Sequence, residues 1–263
     1  MPDKNDHSGE TQGAQTLRRG LSILKLLARH QPDGLGVSDI ARKLEINKAT
    51  AIRLTRTLLD ERFVAQEAST RRYLLGPESF AVGLAAEPNY ALQRTAAPYL
   101  RALALETGDW LFFTVRHGLE SICLSRESDD TPYPPTSLRV GDRHPLGLGT
   151  AGLAILAALP EEESEQILKI NAPKIEREYP QMTEAKVRTL LKETRDRGYA
   201  VVPGILVPGF WGIGVPVLRP DGQPVAAIVL IANAVRLGYA RQLTIAARLQ
   251  QVSRDLMLMP SEN

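Results

Sequence analysis

The chain has one cysteine among its 263 residues, Cys123, so it cannot close a disulfide on itself and fits a reducing compartment. It has no run of 18 apolar residues, and no membrane-spanning helix is expected. Residues 1–15 are polar and acidic and lack the apolar core of a signal peptide, so they read as a disordered tail and the protein as cytoplasmic. Histidine is scarce. His7, His30, His117 and His144 show no pair at metal-ligand spacing, and the last two read as turn residues. A glycine-rich phosphate loop is missing, because Gly147-Leu148-Gly149 lacks the rest of either nucleotide fingerprint. Cys123 lies on an expected strand, where a buried small hydrophobe is commoner than a nucleophile. Glu161-Glu162-Glu163 reads as the solvated start of a helix. These absences argue against an enzyme, a metal site and a cofactor.

What the chain does have is unevenly placed charge. The net charge is only +2, but residues 16–76 hold 12 Lys/Arg against 6 Asp/Glu, a local +6. Residues 1–15 and 77–263 each come to −2. A basic segment of this kind attracts phosphate and steers association with nucleic acid.

The same segment carries a helical pattern. Leu17, Leu21, Leu24 and Leu27/Ala28 make an apolar stripe over residues 16–30, which Pro32-Asp33-Gly34 ends. Ser38 is the expected N-cap of a second helix, with Ile40, Ala41 and Leu44 facing inward. Asn47 is the expected N-cap of a third, which buries Ile52, Leu54/Thr55 and Leu58/Leu59 and exposes Lys48, Thr50, Arg53 and Arg56. Two strands follow, 63–67 and 71–75, with a turn at Ala68-Ser69-Thr70, and Gly76-Pro77 closes the module. Helix-turn-helix followed by a hairpin is the winged helix, whose dominant use is to place a helix in the DNA major groove. Arg53 and Arg56 lie about one turn apart and can each present a donor pair to guanine. Lys48 and Thr50 at the helix start, Ser38 on the helix before it, and Arg71 and Arg72 on the wing strand complete the expected DNA contacts. Of the last two, adjacent on a strand, one is expected to reach DNA.

Residues 89–107 form a second amphipathic helix, with a stripe of Leu92, Ala96, Tyr99/Leu100 and Leu103 and Gly108 at its C-terminal end. The helix reads either as a linker joining two domains or as packed within one domain, and its stripe offers a dimer interface. Beyond it, strands 110–116 and 121–125, helices 150–159 and 183–198, a hairpin of 211–218 and 224–232 turning at Arg219-Pro-Asp-Gly222, and a last helix 239–257 give a mixed pattern without βαβ alternation. The expectation is an α/β chain overall. It divides into a tail (1–15), a winged helix-turn-helix domain (16–77), a linker-helix region (78–108) and an α+β effector-binding domain (109–263).

This order resembles the isocitrate lyase regulator (IclR) family of bacterial transcription regulators over residues 16–258. The matching motifs are Gly36-Val-Ser-Asp-Ile-Ala-Arg-Lys-Leu44 through Thr57-Leu58, Val140-Gly-Asp-Arg-His-Pro-Leu146, Ala151-Gly152, Ala157-Ala-Leu-Pro160, Arg197-Gly-Tyr-Ala200 and Ile213-Gly-Val-Pro-Val217. The resemblance implies operator DNA as partner, a small-molecule effector and a homodimer or dimer of dimers. Two departures stand out. Glu45 replaces the usual turn glycine, which predicts a shifted turn. At the family's oxo-acid pocket, Thr150-Ala151, Val202, Gly212, Val229 and Ile231 stand where Gly-Ala, an acid, a cysteine and two serines are usual. The implied effector is mostly apolar with one polar end, such as a substituted aromatic. A plain core would also carry these valines and isoleucines, and a constitutive DNA-binding scaffold whose C-terminal domain only oligomerises is the alternative.

Overall fold

The computed structural model describes residues 12–86, 91–128 and 138–258. The chain divides into two compact units, Met1–Asn89 and Tyr90–Asn263. His7 and most of the expected tail lie outside the described residues.

The first unit contains α1 (Gln12–Ala28), α2 (Val37–Lys43), α3 (Lys48–Asp60), the hairpin β1 (Val64–Gln66) and β2 (Tyr73–Leu75), and α4 (Pro77–Ala86). Its core gathers Ile23, Leu27, Leu35, Ile40, Ala41, Ala51, Leu54 and Val64. Several sequence expectations need correction here. Residues 12–15 belong to α1, not to the tail, since glutamine and alanine are good helix formers. The buried face of α1 is Ile23 and Leu27, while Leu17 and Leu21 are exposed; leucines occur on more than one face, and packing on α3 and β2 chooses among them. The N-cap of α2 is Gly36 in extended conformation, which leaves Ser38 exposed inside the first turn. Asn47 does cap α3, its Oδ1 accepting from the Thr50 N–H at 2.7 Å. Ile52 is not buried but 48% exposed. The inward arc is taken by Ala51, Leu54 and Thr55, whose hydroxyl is satisfied by donating to the Ala51 carbonyl at 2.8 Å.

The hairpin pairs Val64 with Leu75 and Gln66 with Tyr73, so its turn is longer than expected. Arg71, at φ 58°, and Arg72 lie in that turn rather than on a strand, and both are exposed. The face alternation expected for them therefore does not apply. Glu45 adopts φ 53°, so the glutamate takes the left-handed geometry itself and the turn is not displaced. The strain is on the order of 1 kcal/mol. Proline at the first position of α4 suits a helix start, and none of its residues is buried.

The second unit contains α5 (Ala91–Thr107), β3 (Trp110–His117), β4 (Glu120–Glu127), β5 (Arg143–Pro145), α6 (Gly149–Ala158), α7 (Glu161–Glu178), α8 (Glu184–Arg197), β6 (Ala200–Pro203), β7 (Phe210–Leu218), β8 (Pro224–Asn233) and α9 (Tyr239–Leu258). The six strands form an antiparallel sheet in the order β5-β4-β3-β8-β7-β6. Alternate residues feed two cores. Phe112 and Val229 pack under α6–α8, whereas Leu111, Phe113, Ile228 and Leu230 pack under α5 and α9. The stripe of α5 is used here: Ala96, Leu100 and Leu103 are buried against its own sheet with Leu92 and Tyr99 beside them, which corrects its reading as a dimer interface. Arg241 reinforces the end of α5, donating to the Thr107 carbonyl at 3.0 Å and to buried Asp109 at 2.7 Å. His144 stands on β5 opposite Ser121 rather than in a turn, and His117 ends β3. The fold class expected from the sequence, an N-terminal winged helix-turn-helix with a C-terminal α+β domain, is the one observed.

Candidate functional sites

In the first unit, α3 presents Lys48, Arg53 and Arg56 to solvent. The two guanidinium groups make no ion pair among the described residues, so their donors are available. Thr50 is half-buried and its N–H is already taken by Asn47. Arg42 on α2 is paired with Asp39 at 2.8 Å, and its hydrogen bond holds the Asp39 carboxyl below the usual range. In the wing turn, Arg72 Nη1 donates to the Asp33 carbonyl at 3.1 Å, tying the turn to the α1–α2 loop. Arg71 extends from the same turn, its carbonyl accepting from Gln66 Nε2. Basic groups from α3 and the wing are thus both exposed on this unit.

In the second unit, a cavity of about 130 Å³ lies under the start of α6. Thr150, Ala151, Val202, Gly212, Val229 and Ile231 all line it. Gly212 pairs with Val202 on one side and Ile231 on the other, so β6, β7 and β8 present these positions in a row. The glycines of β7 have a definite purpose. A methyl on Gly214 would come within 2.8 Å of Thr150 Cγ2, and one on Gly212 would collide with the Thr150 hydroxyl. The bare backbone of β7 is what admits the threonine.

The sequence reading missed a polar wall further along the same sheet. Thr114, Ser121, Cys123, Asp142, His144 and Tyr179 line the same cavity. Thr114 pairs across the sheet with Cys123, and Ser121 with His144, which brings four of them onto one face. The available signal was alternation: Ser121, Cys123 and Ser125 alternate with the apolar Ile122 and Leu124 along β4. Thr114 is 3% exposed, and its hydroxyl is buried without a hydrogen-bond partner. Burial, aided by the nearby Asp142 carboxylate, pushes the Cys123 thiol up to about 12. It therefore stays a neutral thiol at physiological pH. Among the described residues no lysine or arginine lines the cavity.

At the start of α6 the cap residue Leu148 offers no side-chain hydrogen bond, and Leu148, Gly149, Thr150 and Ala151 border the cavity. A helix start without a side-chain cap holds backbone N–H donors and a partial positive charge. Among the described residues no cluster could hold a metal ion, and no helix is long and apolar enough to cross a membrane.

A basic winged helix followed by an α+β unit with a ligand-sized cavity defines the class, a DNA-binding transcription regulator. Residues 16–68 match the IclR helix-turn-helix domain and residues 86–258 match the bacterial transcriptional regulator IclR C-terminal domain. The chain belongs to the IclR family. It is 29% identical over 248 residues to the HTH-type transcriptional repressor AllR of Escherichia coli strain K12, covering 93% of this chain and 90% of AllR. An IclR transcriptional regulator from Alicyclobacillus acidocaldarius has a similar structure, with a TM-score of 0.72 and 26% identity over 92% of this chain and 97% of that one. An IclR homologue from Microbacterium hydrocarbonoxydans, complexed with 4-hydroxybenzoate, matches with a TM-score of 0.71 at 21% identity over the same shares, a likeness of fold.

Proposed function

We propose that this protein is a sequence-specific repressor whose grip on operator DNA is set by a small, mostly apolar effector in the cavity of the second unit. The DNA contacts are Lys48, Thr50, Arg53 and Arg56, with Arg71 and Arg72 from the wing and Ser38 at the edge. AllR, with which the chain aligns over most of its length, is named a repressor, which supports that sign. The protein acts in the cytoplasm as a homodimer or a dimer of dimers.

The observation that carries the effector reading is the cavity itself. It joins an apolar wall, with Val202, Val229 and Ile231, to the bare N-terminus of α6 and to the unpaired Thr114 hydroxyl. The helix start suits one carboxylate or hydroxyl. A second charge would be buried with no lysine or arginine to pair it. The polar wall adds to the sequence expectation: the ligand has an apolar body and one charged end, with room for a neutral polar group elsewhere. A volume of about 130 Å³ is comparable with the roughly 150 Å³ cavity known to take benzene, so one substituted ring fits. The sheet separates this cavity from α5. An effector that favours one packing of β3 and β8 would bias α5, the helix that begins the second unit.

Calorimetry on the full chain, with benzoate and 4-hydroxybenzoate against glyoxylate and pyruvate, tests this reading. The aromatic acids should bind and change affinity for DNA sites selected by the protein. Val229→Ser should weaken them by about 1 kcal/mol or more. Tight binding of glyoxylate or pyruvate without any response to aromatics would overturn the apolar class. DNA binding indifferent to every compound would favour the constitutive scaffold.

A further inference from the structure

The outer face of α3 holds a residue that charge does not explain. Ile52 is 48% exposed, with Lys48 four residues before it and Arg56 four after it. Exposed Ala49 lies three residues earlier, on the same side of the helix. Single exposed apolar side chains are common on protein surfaces. This one is distinguished by its place, the first turns of the second helix of a helix-turn-helix, the part that approaches base edges. The inward side of α3 is already filled by Ala51, Leu54 and Thr55, so Ile52 has no core to join. In the major groove the distinctive apolar feature is the 5-methyl group of thymine, which apolar side chains contact.

We propose that Ile52, with Ala49 beside it, reads a thymine methyl in each operator half-site, next to the bases approached by Arg53 and Arg56. The proposal rests on α3 being the recognition helix. It divides the labour on one helix face: arginine donors select guanine, and the isoleucine selects the neighbouring T·A pair over C·G.

The test begins with sites selected from random duplex DNA by the full-length protein. Each thymine of the selected site is then replaced by deoxyuridine, which removes only the methyl group. At one position per half-site the wild-type protein should lose about fourfold in affinity, the value of one buried methyl-sized group. Ile52→Ala should bind the thymine and deoxyuridine sites equally and keep its preference for guanine. Because the side chain is exposed, the variant's melting temperature should match wild type. A thymine-to-deoxyuridine ratio unchanged by Ile52→Ala, or no effect at any thymine in wild type, would overturn the proposal while leaving DNA binding intact. If the wild-type protein enriches no sequence at all, the recognition-helix reading fails first. A change in sedimentation of Ile52→Ala without DNA would place Ile52 against a second copy instead, and the proposal would fall.

Discussion

Thr150 and Gly212 are two halves of one fit. Thr150 points from the start of α6 at β7, where a side chain on Gly212 or Gly214 would occupy the same space. Both stand among the expected departures from the family's oxo-acid pocket. In the structure they share one space, the Thr150 side chain occupying what a side chain on Gly212 would fill. A pair that shares space should not behave additively. Gly212→Ala alone should destabilise the protein by about 1–3 kcal/mol through overpacking. Thr150→Gly alone should destabilise it by roughly 1 kcal/mol or more, through the void and the added backbone freedom. The double variant should lose less than the sum by at least about 1 kcal/mol, read from urea unfolding midpoints at constant m. Strict additivity would show that the two positions do not compete for space.

The wing shows why an element's boundary changes its chemistry. Had Arg71 and Arg72 lain on a strand, their side chains would have faced opposite ways. In the turn both are exposed, and Arg72 is braced against the Asp33 carbonyl. Arg56→Ala should cost about 1–3 kcal/mol of binding to a selected site and relax its sequence preference. Arg72→Ala should weaken all DNA alike and reduce the salt slope by about one. Filter binding on selected and scrambled duplexes across salt separates these outcomes, and unchanged affinity in Arg56→Ala would remove it from the reading face. The elements legible in the sequence were those with local punctuation: Asn47 before α3, Gly108 after α5, Thr183 and Gly198 around α8, and the Arg219–Gly222 turn between β7 and β8. Elements set by distant partners were not legible. β5 is three residues long and exists through its pairing with β4, which is why His144 read as a turn residue. The row Val202, Gly212, Val229, Ile231 came from family resemblance. The wall of Thr114, Ser121, Cys123 and His144 needed the register of three strands that no local pattern encodes. Ile52 was misassigned because 3–4 residue spacing from Leu54 and Thr55 allowed either it or Ala51 to face inward, and Ala51 took the buried place.

At the scale of the whole molecule, the surface expected to join two chains is used within one of them. The stripe on α5 is spent on its own sheet, so it is not free to join two chains. Several exposed apolar side chains gather on α4, where Phe80, Val82 and Leu84 are 68%, 55% and 53% exposed and no residue is buried. Phe80 and Leu84 are one turn apart and share a face. An apolar helix face left open to water is a candidate interaction surface. A single winged helix reads one short site, and specific operators normally take two. In the proposed homodimer, a second copy covering α4 would supply the second half-site. Sedimentation equilibrium of the wild-type chain at micromolar concentration should show at least a dimer. Phe80→Glu with Leu84→Glu should shift it toward monomer and weaken operator binding, while leaving aromatic-acid affinity in the cavity unchanged, because that site is built wholly within the second unit. A wild-type monomer, with or without DNA, would defeat the assembly reading itself. A variant that stays dimeric would move the interface off α4 but keep the dimer.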